Sequence, residues 1–140
     1  MKVAVVTPYY NEPLHILRRC MATVCQQDYY TTSIGHIVVA DTENRFKRKD
    51  LPVRFDTVQL INLGRNHNDA GATPRALGAI SAFSQGYDAV AFLDADNAYE
   101  PTHIRTMIET CTNNNADIVD RKSTRLNSSH TDISRMPSSA

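Results

Sequence analysis

The chain has 140 residues, 41% of them hydrophobic, which is one domain's worth of sequence with enough apolar content for a core. Its 15 Lys+Arg balance 15 Asp+Glu, so the basic footprint of a nucleic-acid or membrane-surface binder is absent. Four of the basic residues and two of the acidic ones fall in residues 120–140, leaving 11 against 13 in a mildly acidic body.

Met1-Lys2 leads directly into Val3-Ala4-Val5-Val6, too short an apolar run for a signal peptide. No later run approaches the ~20 apolar residues of a membrane span. A cytoplasmic location with no membrane segment in this fragment is therefore expected. Residues 2–7 form the first predicted strand, of the nearly continuous apolar kind that is covered on both faces. Pro13 suits the first turn of a following helix, with Leu14, Leu17, Cys20, Met21 and Val24 at helical spacing. A second strand is predicted over 36–41. Residues 42–52, with Arg45, Lys47, Arg48 and Lys49, read as a solvated loop without the aromatic interleaving of a nucleic-acid site. A third strand is predicted over 57–63.

Gly71 closes an irregular loop, and Thr73-Pro74 reads as an N-cap followed by proline at the first helical position. That helix is expected to carry Leu77, Ile80 and Phe83 inward and to stop near Gly86. A fourth strand, 89–93, runs straight into Asp94-Ala95-Asp96. The last helix is predicted over 101–112, with Ile104, Met107, Ile108 and Cys111 on one stripe. Asn113, Asn114 and Asn115 break it, and 116–119 begin a fifth strand. Cys20, Cys25 and Cys111 are an odd number with no CxxC, and read as small core residues in a reducing compartment. Strands alternating with helices imply an α/β fold with a mainly parallel sheet in three αβα layers.

From Asp120 onward periodicity vanishes, and six of 21 residues are Ser. One reading is a disordered terminus. A sharper one is that Asp-Arg-Lys-Ser-Thr-Arg-Leu-Asn-Ser-Ser-His, at 120–130, resembles a one-frame translation of a common sequencing-library adapter. After a short gap, 134–140 resemble the adapter's next block. Residues 1–119 are thus expected to be an incomplete nucleotide-binding domain, and 120–140 a non-native or disordered tail. An unfinished sheet would leave an open edge and an uncovered apolar face, unfavourable for solubility.

Ligands of an open parallel sheet bind outside the carboxyl ends of its strands, and polar residues gather at those ends. The first strand ends in Thr7-Pro8-Tyr9-Tyr10-Asn11-Glu12, the second in Asp41, and the fourth in Asp94-Ala95-Asp96. The third is followed by Asn66, His67, Asn68 and Asp69, with Arg75 just beyond. On an extended backbone Asp94 and Asp96 would project to one side. Neighbouring carboxylates repel unless a cation or donor neutralises them, and hard oxygen ligands suit Mg²⁺ or Mn²⁺ shared with substrate phosphates. Asp41 can accept hydrogen bonds from a base or ribose, or cap a turn. Arg75 near a helix N-terminus can pair with phosphate, and Asp69 can orient Arg75 or contact the nucleotide. Asn11 and Glu12 are substrate contacts or caps of the first helix. His67 has no partner at ligand spacing and reads as a loop histidine. GxGxxG, GxxxxGK[ST] and GxSxG are absent, so dinucleotide, P-loop and nucleophile-elbow chemistries lack their cradles.

The ordered set from Val3 to Glu12, then Val38-Val39-Ala40-Asp41, then 69–78, then Ala91-Phe92-Leu93-Asp94-Ala95-Asp96, resembles family 2 inverting glycosyltransferases across 1–119. The resemblance implies a GT-A fold, a nucleotide-diphosphate sugar, a divalent metal (Mg²⁺ or Mn²⁺) and an acceptor of unknown identity. It implies that Thr7, Pro8, Tyr9 and Asp41 line the base pocket, that Asp69 and Arg75 lie beside the nucleotide, and that Glu12 belongs with the substrate contacts. Asp94 would face ribose or metal, and Asp96 would be the main metal ligand. The family's catalytic base comes from an acidic motif further downstream with no counterpart here, so no catalytic base is assigned and the fragment alone is expected to transfer nothing. Two other readings are a metal-dependent phosphohydrolase using Asp94 and Asp96, and a catalytically silent nucleotide-binding module.

Overall fold

The apolar run after Lys2 becomes strand β1, Val3–Tyr9, buried along almost its whole length because helices cover both faces of the sheet. The computed structural model describes residues 1–28, 33–44, 47–51, 58–121 and 131–135. After β1 come α1 (Leu14–Cys25), β2 (Ile34–Ala40), a 3-10 turn (Arg48–Asp50), β3 (Val58–Asn62) and α2 (Ala72–Ser84). Then follow β4 (Ala89–Phe92), α3 (His103–Asn113), β5 (Ile118–Arg121) and β6 (Thr131–Arg135). Arg45 and Thr57, and so part of the predicted basic loop and the predicted start of the third strand, lie outside the described residues.

The sheet order is β3-β2-β1-β4-β6-β5. Strands β1 to β4 are mutually parallel, while β6 lies antiparallel to both of its neighbours. The chain therefore builds outward from β1 through β2 to β3, then returns to place β4 on the other side of β1. Such a reversal opens a crevice at the strands' carboxyl ends. On one face Leu17 and Met21 of α1 pack with Val38 and Ala40, and Cys20 and Val24 join Ile104 and Met107 of α3 over Val3 and Val5. On the other face Ala82 of α2 packs with Ala4, Val6, Ile37, Val39 and Val90. The three αβα layers are those expected, and the stripes predicted for α1 and α3 face the core.

The inward face of α2 differs from the prediction. Phe83 packs on the sheet, but Leu77 is 40% and Ile80 64% exposed. The buried stripe is instead Pro74, Gly78 and Ala82, at i, i+4 and i+8. A Cβ on Gly78 would stand 2.4 Å from Val6 Cγ1 and 3.2 Å from Val39 Cγ2, so only a small-residue face lets this helix approach so closely. Its start also differs: Gly71, with φ 83°, is the N-cap, and Thr73 lies inside the first turn. The predicted stop holds, because Gly86 takes φ 85°. Tyr87 N–H donates to Ala82 O (3.2 Å) and Gly86 N–H to Phe83 O (3.0 Å), closing a Schellman motif.

Three smaller corrections follow. Cys25, at the end of α1, is exposed, whereas Cys20 and Cys111 are buried; all three are free thiols. Helix α3 starts at His103, later than predicted. Strand β6 was not foreseen, because Thr131-Asp132-Ile133-Ser134-Arg135 offers one apolar residue and no clear alternation. Ile118, like Leu77 and Ile80, is an exposed large hydrophobic. Among the described residues no helix is long and apolar enough to cross a membrane.

Candidate functional site

The carboxyl ends of β1, β2 and β4 share one rim because the three strands are parallel. A cleft of about 350 Å³ lies there, lined by Pro8, Tyr9, Tyr10, Glu12, Asp41, Asn66, Asn68, Ala70, Gly71, Pro74, Arg75, Asp94 and Asp96. Segments far apart in sequence thus meet at one mouth, as the sequence predicts. Of the predicted contacts, Pro8, Tyr9, Glu12, Asp41, Arg75, Asp94 and Asp96 line the cleft.

Thr7 and Asp69 are not among the lining residues. Thr7 is fully buried, with Oγ1 2.7 Å from His36 Nε2 and 3.9 Å from Cys20 Sγ. It shares the strand parity of Val3 and Val5, so its side chain points into the α1 layer rather than the cleft. Asp69 does not reach Arg75. Its Oδ2 accepts from Thr73 N–H at 3.0 Å and from the Thr73 hydroxyl, satisfying the start of α2. The Thr73 hydroxyl, helped by the Thr73 backbone N–H, holds the Asp69 carboxyl below its ordinary range against a smaller opposing desolvation effect.

Glu12 caps its own loop rather than α1: Oε2 accepts from Tyr10 N–H (2.9 Å) and Asn11 N–H (3.1 Å). The Tyr9 hydroxyl donates to Glu12 O at 2.9 Å, and burial, with the Glu12 charge second, pushes the Tyr9 phenol up.

Asp41 follows β2 directly and is 5% exposed. Its N–H donates to Tyr9 O at 2.7 Å, tying the second loop to the first. Its carboxylate is held by His67, whose N–H lies 3.2 Å from both oxygens and whose Nδ1 lies 2.5 Å from Oδ1. The loop-histidine reading of His67 is thereby corrected. The two residues are 26 apart in sequence, so no short spacing could reveal the pair.

The two acids after β4 occupy a turn, not the extended backbone assumed from sequence: Asn97 N–H donates to Asp94 O at 3.0 Å. Both still face the cleft. Arg75 Nη2 lies 2.5 Å from Asp94 Oδ1, and Nη1 donates to Ala70 O at 2.8 Å. Arg75 thus neutralises one acid and projects into the cleft from the first turns of α2. Among the described residues the Asp96 carboxylate has no hydrogen-bond or ion-pair partner; only its backbone oxygen is held, by Arg19 Nη2 at 3.1 Å. No group of three or more His, Cys, Asp or Glu that could hold a metal occurs among the described residues. Two carboxylates beside an open cleft nevertheless fit Mg²⁺ or Mn²⁺, which complete their shell with substrate phosphate and water. Tyr10 (51% exposed), Asn66 and Asn68, which the sequence places at the strand ends without giving them a role, also line the cleft, as does Gly71, which it reads only as closing a loop.

The parallel strands with paired acids at their carboxyl mouth beside the β1/β4 reversal form the GT-A fold expected from the sequence. The chain belongs to glycosyl transferase family 2, which it matches over residues 4–136. It is 32% identical over 120 residues to the succinoglycan biosynthesis protein ExoW of Rhizobium meliloti (strain 1021), covering 83% of this chain and 36% of that protein. It is similar in fold to S. aureus TarS 1-349, with TM-score 0.69 and 18% identity over 96% of this chain and 47% of that one. The TarS 1-349 structures with UDP and with UDP-GlcNAc match at TM-score 0.69 and 20% identity, again over 96% of this chain and 47% and 45% of theirs. The chain thus spans less than half the length of these relatives.

Proposed function

We propose that this domain binds a uridine-diphosphate sugar together with Mg²⁺ or Mn²⁺, and that the whole enzyme transfers the sugar to an acceptor hydroxyl with inversion at the anomeric carbon. The observation that carries this is the meeting of Asp41, Arg75, Asp94 and Asp96 on one cleft at the β1/β4 reversal. The solved relative that binds UDP and UDP-GlcNAc has the same fold, which supports uridine as the base.

In this reading Asp41 accepts a hydrogen bond from the base, and exposed Tyr10 offers an aromatic surface beside it. Arg75 offers charge-assisted hydrogen bonds to the diphosphate while steadying Asp94. Asp94 and Asp96 would hold the divalent cation, which when bound would supply stabilisation of charge on the nucleotide-diphosphate leaving group. No residue of this chain is assigned as the base that activates the acceptor. Three free thiols suit a reducing, cytoplasmic setting. Residues 120–140 we read as foreign to the gene.

Calorimetric titration of the chain with UDP, with and without Mn²⁺, tests the assignment. Mn²⁺ is expected to tighten UDP binding about tenfold, and Asp96→Ala is expected to remove that gain while sparing metal-free binding. An unchanged Mn²⁺ gain in the variant would overturn the metal assignment. Absence of any UDP binding by the unaltered chain would overturn the whole reading.

A further inference from the structure

We propose that His67 is a positioning residue that sets nucleobase selectivity through Asp41; the inference rests on the sugar-nucleotide reading above. Arg65 Nε–H donates to His67 Nε2 at 3.2 Å. A nitrogen that accepts carries no proton, so the neutral ring's proton resides on Nδ1. Nδ1 stands 2.5 Å from Asp41 Oδ1, and the His67 backbone N–H spans both carboxylate oxygens at 3.2 Å. The Arg65–His67–Asp41 chain thus has its donors all pointing one way.

This arrangement restricts what Asp41 can offer. The His67 ring occupies Oδ1 and fixes the carboxylate plane against the backbone N–H. Among the described residues Oδ2 has only the bifurcated backbone contact, and Asp41 lines the cleft. The group facing a base is therefore an acceptor of fixed direction and no donor. Uracil presents a ring N–H at N3 and satisfies such an acceptor. Cytosine presents a lone pair at the same atom and is repelled, leaving a nearly buried carboxylate facing a second acceptor. A carboxylate free to rotate could turn away from the cytosine lone pair and discriminate less.

The experiment compares UDP with CDP, both with Mn²⁺, by calorimetry on the whole chain carrying His67→Ala, His67→Asn or Arg65→Ala. The unaltered chain is expected to prefer UDP by at least about tenfold, the scale of one hydrogen bond to a charged group. His67→Ala is expected to bring the UDP/CDP ratio toward one. His67→Asn, whose amide N–H can replace Nδ1–H, is expected to restore most of the preference, a rescue that general loosening of the loop would not produce. Arg65→Ala, which frees the tautomer without removing the ring, is expected to fall between. Full UDP preference in both His67→Ala and Arg65→Ala would overturn the proposal and leave the sugar-nucleotide reading intact. Failure of the unaltered chain to bind either nucleotide would sink that reading first. Should His67→Ala not fold, a preference unchanged in Arg65→Ala together with one lost in His67→Asn would count against the proposal.

Discussion

Buried His36 and Thr7 show how one residue in the second layer of a site can govern stability. His36 Nε2 is 2.7 Å from Thr7 Oγ1, and among the described residues Nδ1 has no hydrogen-bond partner. Burial pushes the imidazole down to about 3, so the ring is neutral in the folded protein, whereas the unfolded chain takes up its proton near 6.5. The unfolded state therefore binds more protons between these values, and folding stability rises with pH across that window. The stabilising contribution is complete above pH 6.5 and is lost progressively as pH falls toward 3, by about 1.4 kcal/mol per pH unit. Urea midpoints from pH 7 to pH 4 should show this slope, and His36→Gln should lack it; parallel profiles for the two proteins would refute the assignment. Thr7 also marks a limit of sequence reading. Its position at a strand end suggested a ligand contact, but period-two alternation with Val3 and Val5 assigns it to the core. That parity was legible and was outweighed by position.

Helices α1 and α3 were read correctly because large apolar residues mark their buried faces. Helix α2 was not, because it carries two competing stripes. Leu77 and Ile80 are the more hydrophobic choice, yet Gly78 and Ala82 lie against the sheet, since closeness of approach is decided by size. The consequence is a sign that propensity alone would get wrong. Gly→Ala inside a helix ordinarily stabilises by about 1 kcal/mol. Here the new Cβ would meet Val6 Cγ1 at 2.4 Å, and overpacking of that kind costs about 1–3 kcal/mol. Gly78→Ala is therefore expected to lower the thermal midpoint, and a raised midpoint would show that α2 can lift away from the sheet. Such a lift would also shift Arg75, which reaches Asp94 from the start of the same helix.

At the scale of the whole molecule, the parallel core and the residues at its mouth were legible because each strand end carries its own polar signature. The far side of β4 was not. There β6 pairs Ala89 with Arg135, Val90 with Ser134 and Ala91 with Ile133. Backbone N–H and C=O groups make such a ladder for almost any sequence, so the pairing carries no information about the origin of the residues that form it. The family match extends to residue 136, while the adapter-like order begins at Asp120 and resumes at Ser134. These two observations make opposite demands on the gene. Ala89, Val90 and Ala91 are buried on both faces of the sheet, and a strand evolved beside them would place apolar side chains toward α2 and α3 in alternation. Thr131-Asp132-Ile133-Ser134-Arg135 supplies one. Sequencing the genomic locus is expected to show a different continuation beyond about residue 120, with several β-branched or aromatic residues at the β6 position. A genomic copy encoding 121–140 as they stand here would refute the foreign origin, and the sparse apolar content of β6 would then be the family member's own way of finishing the sheet.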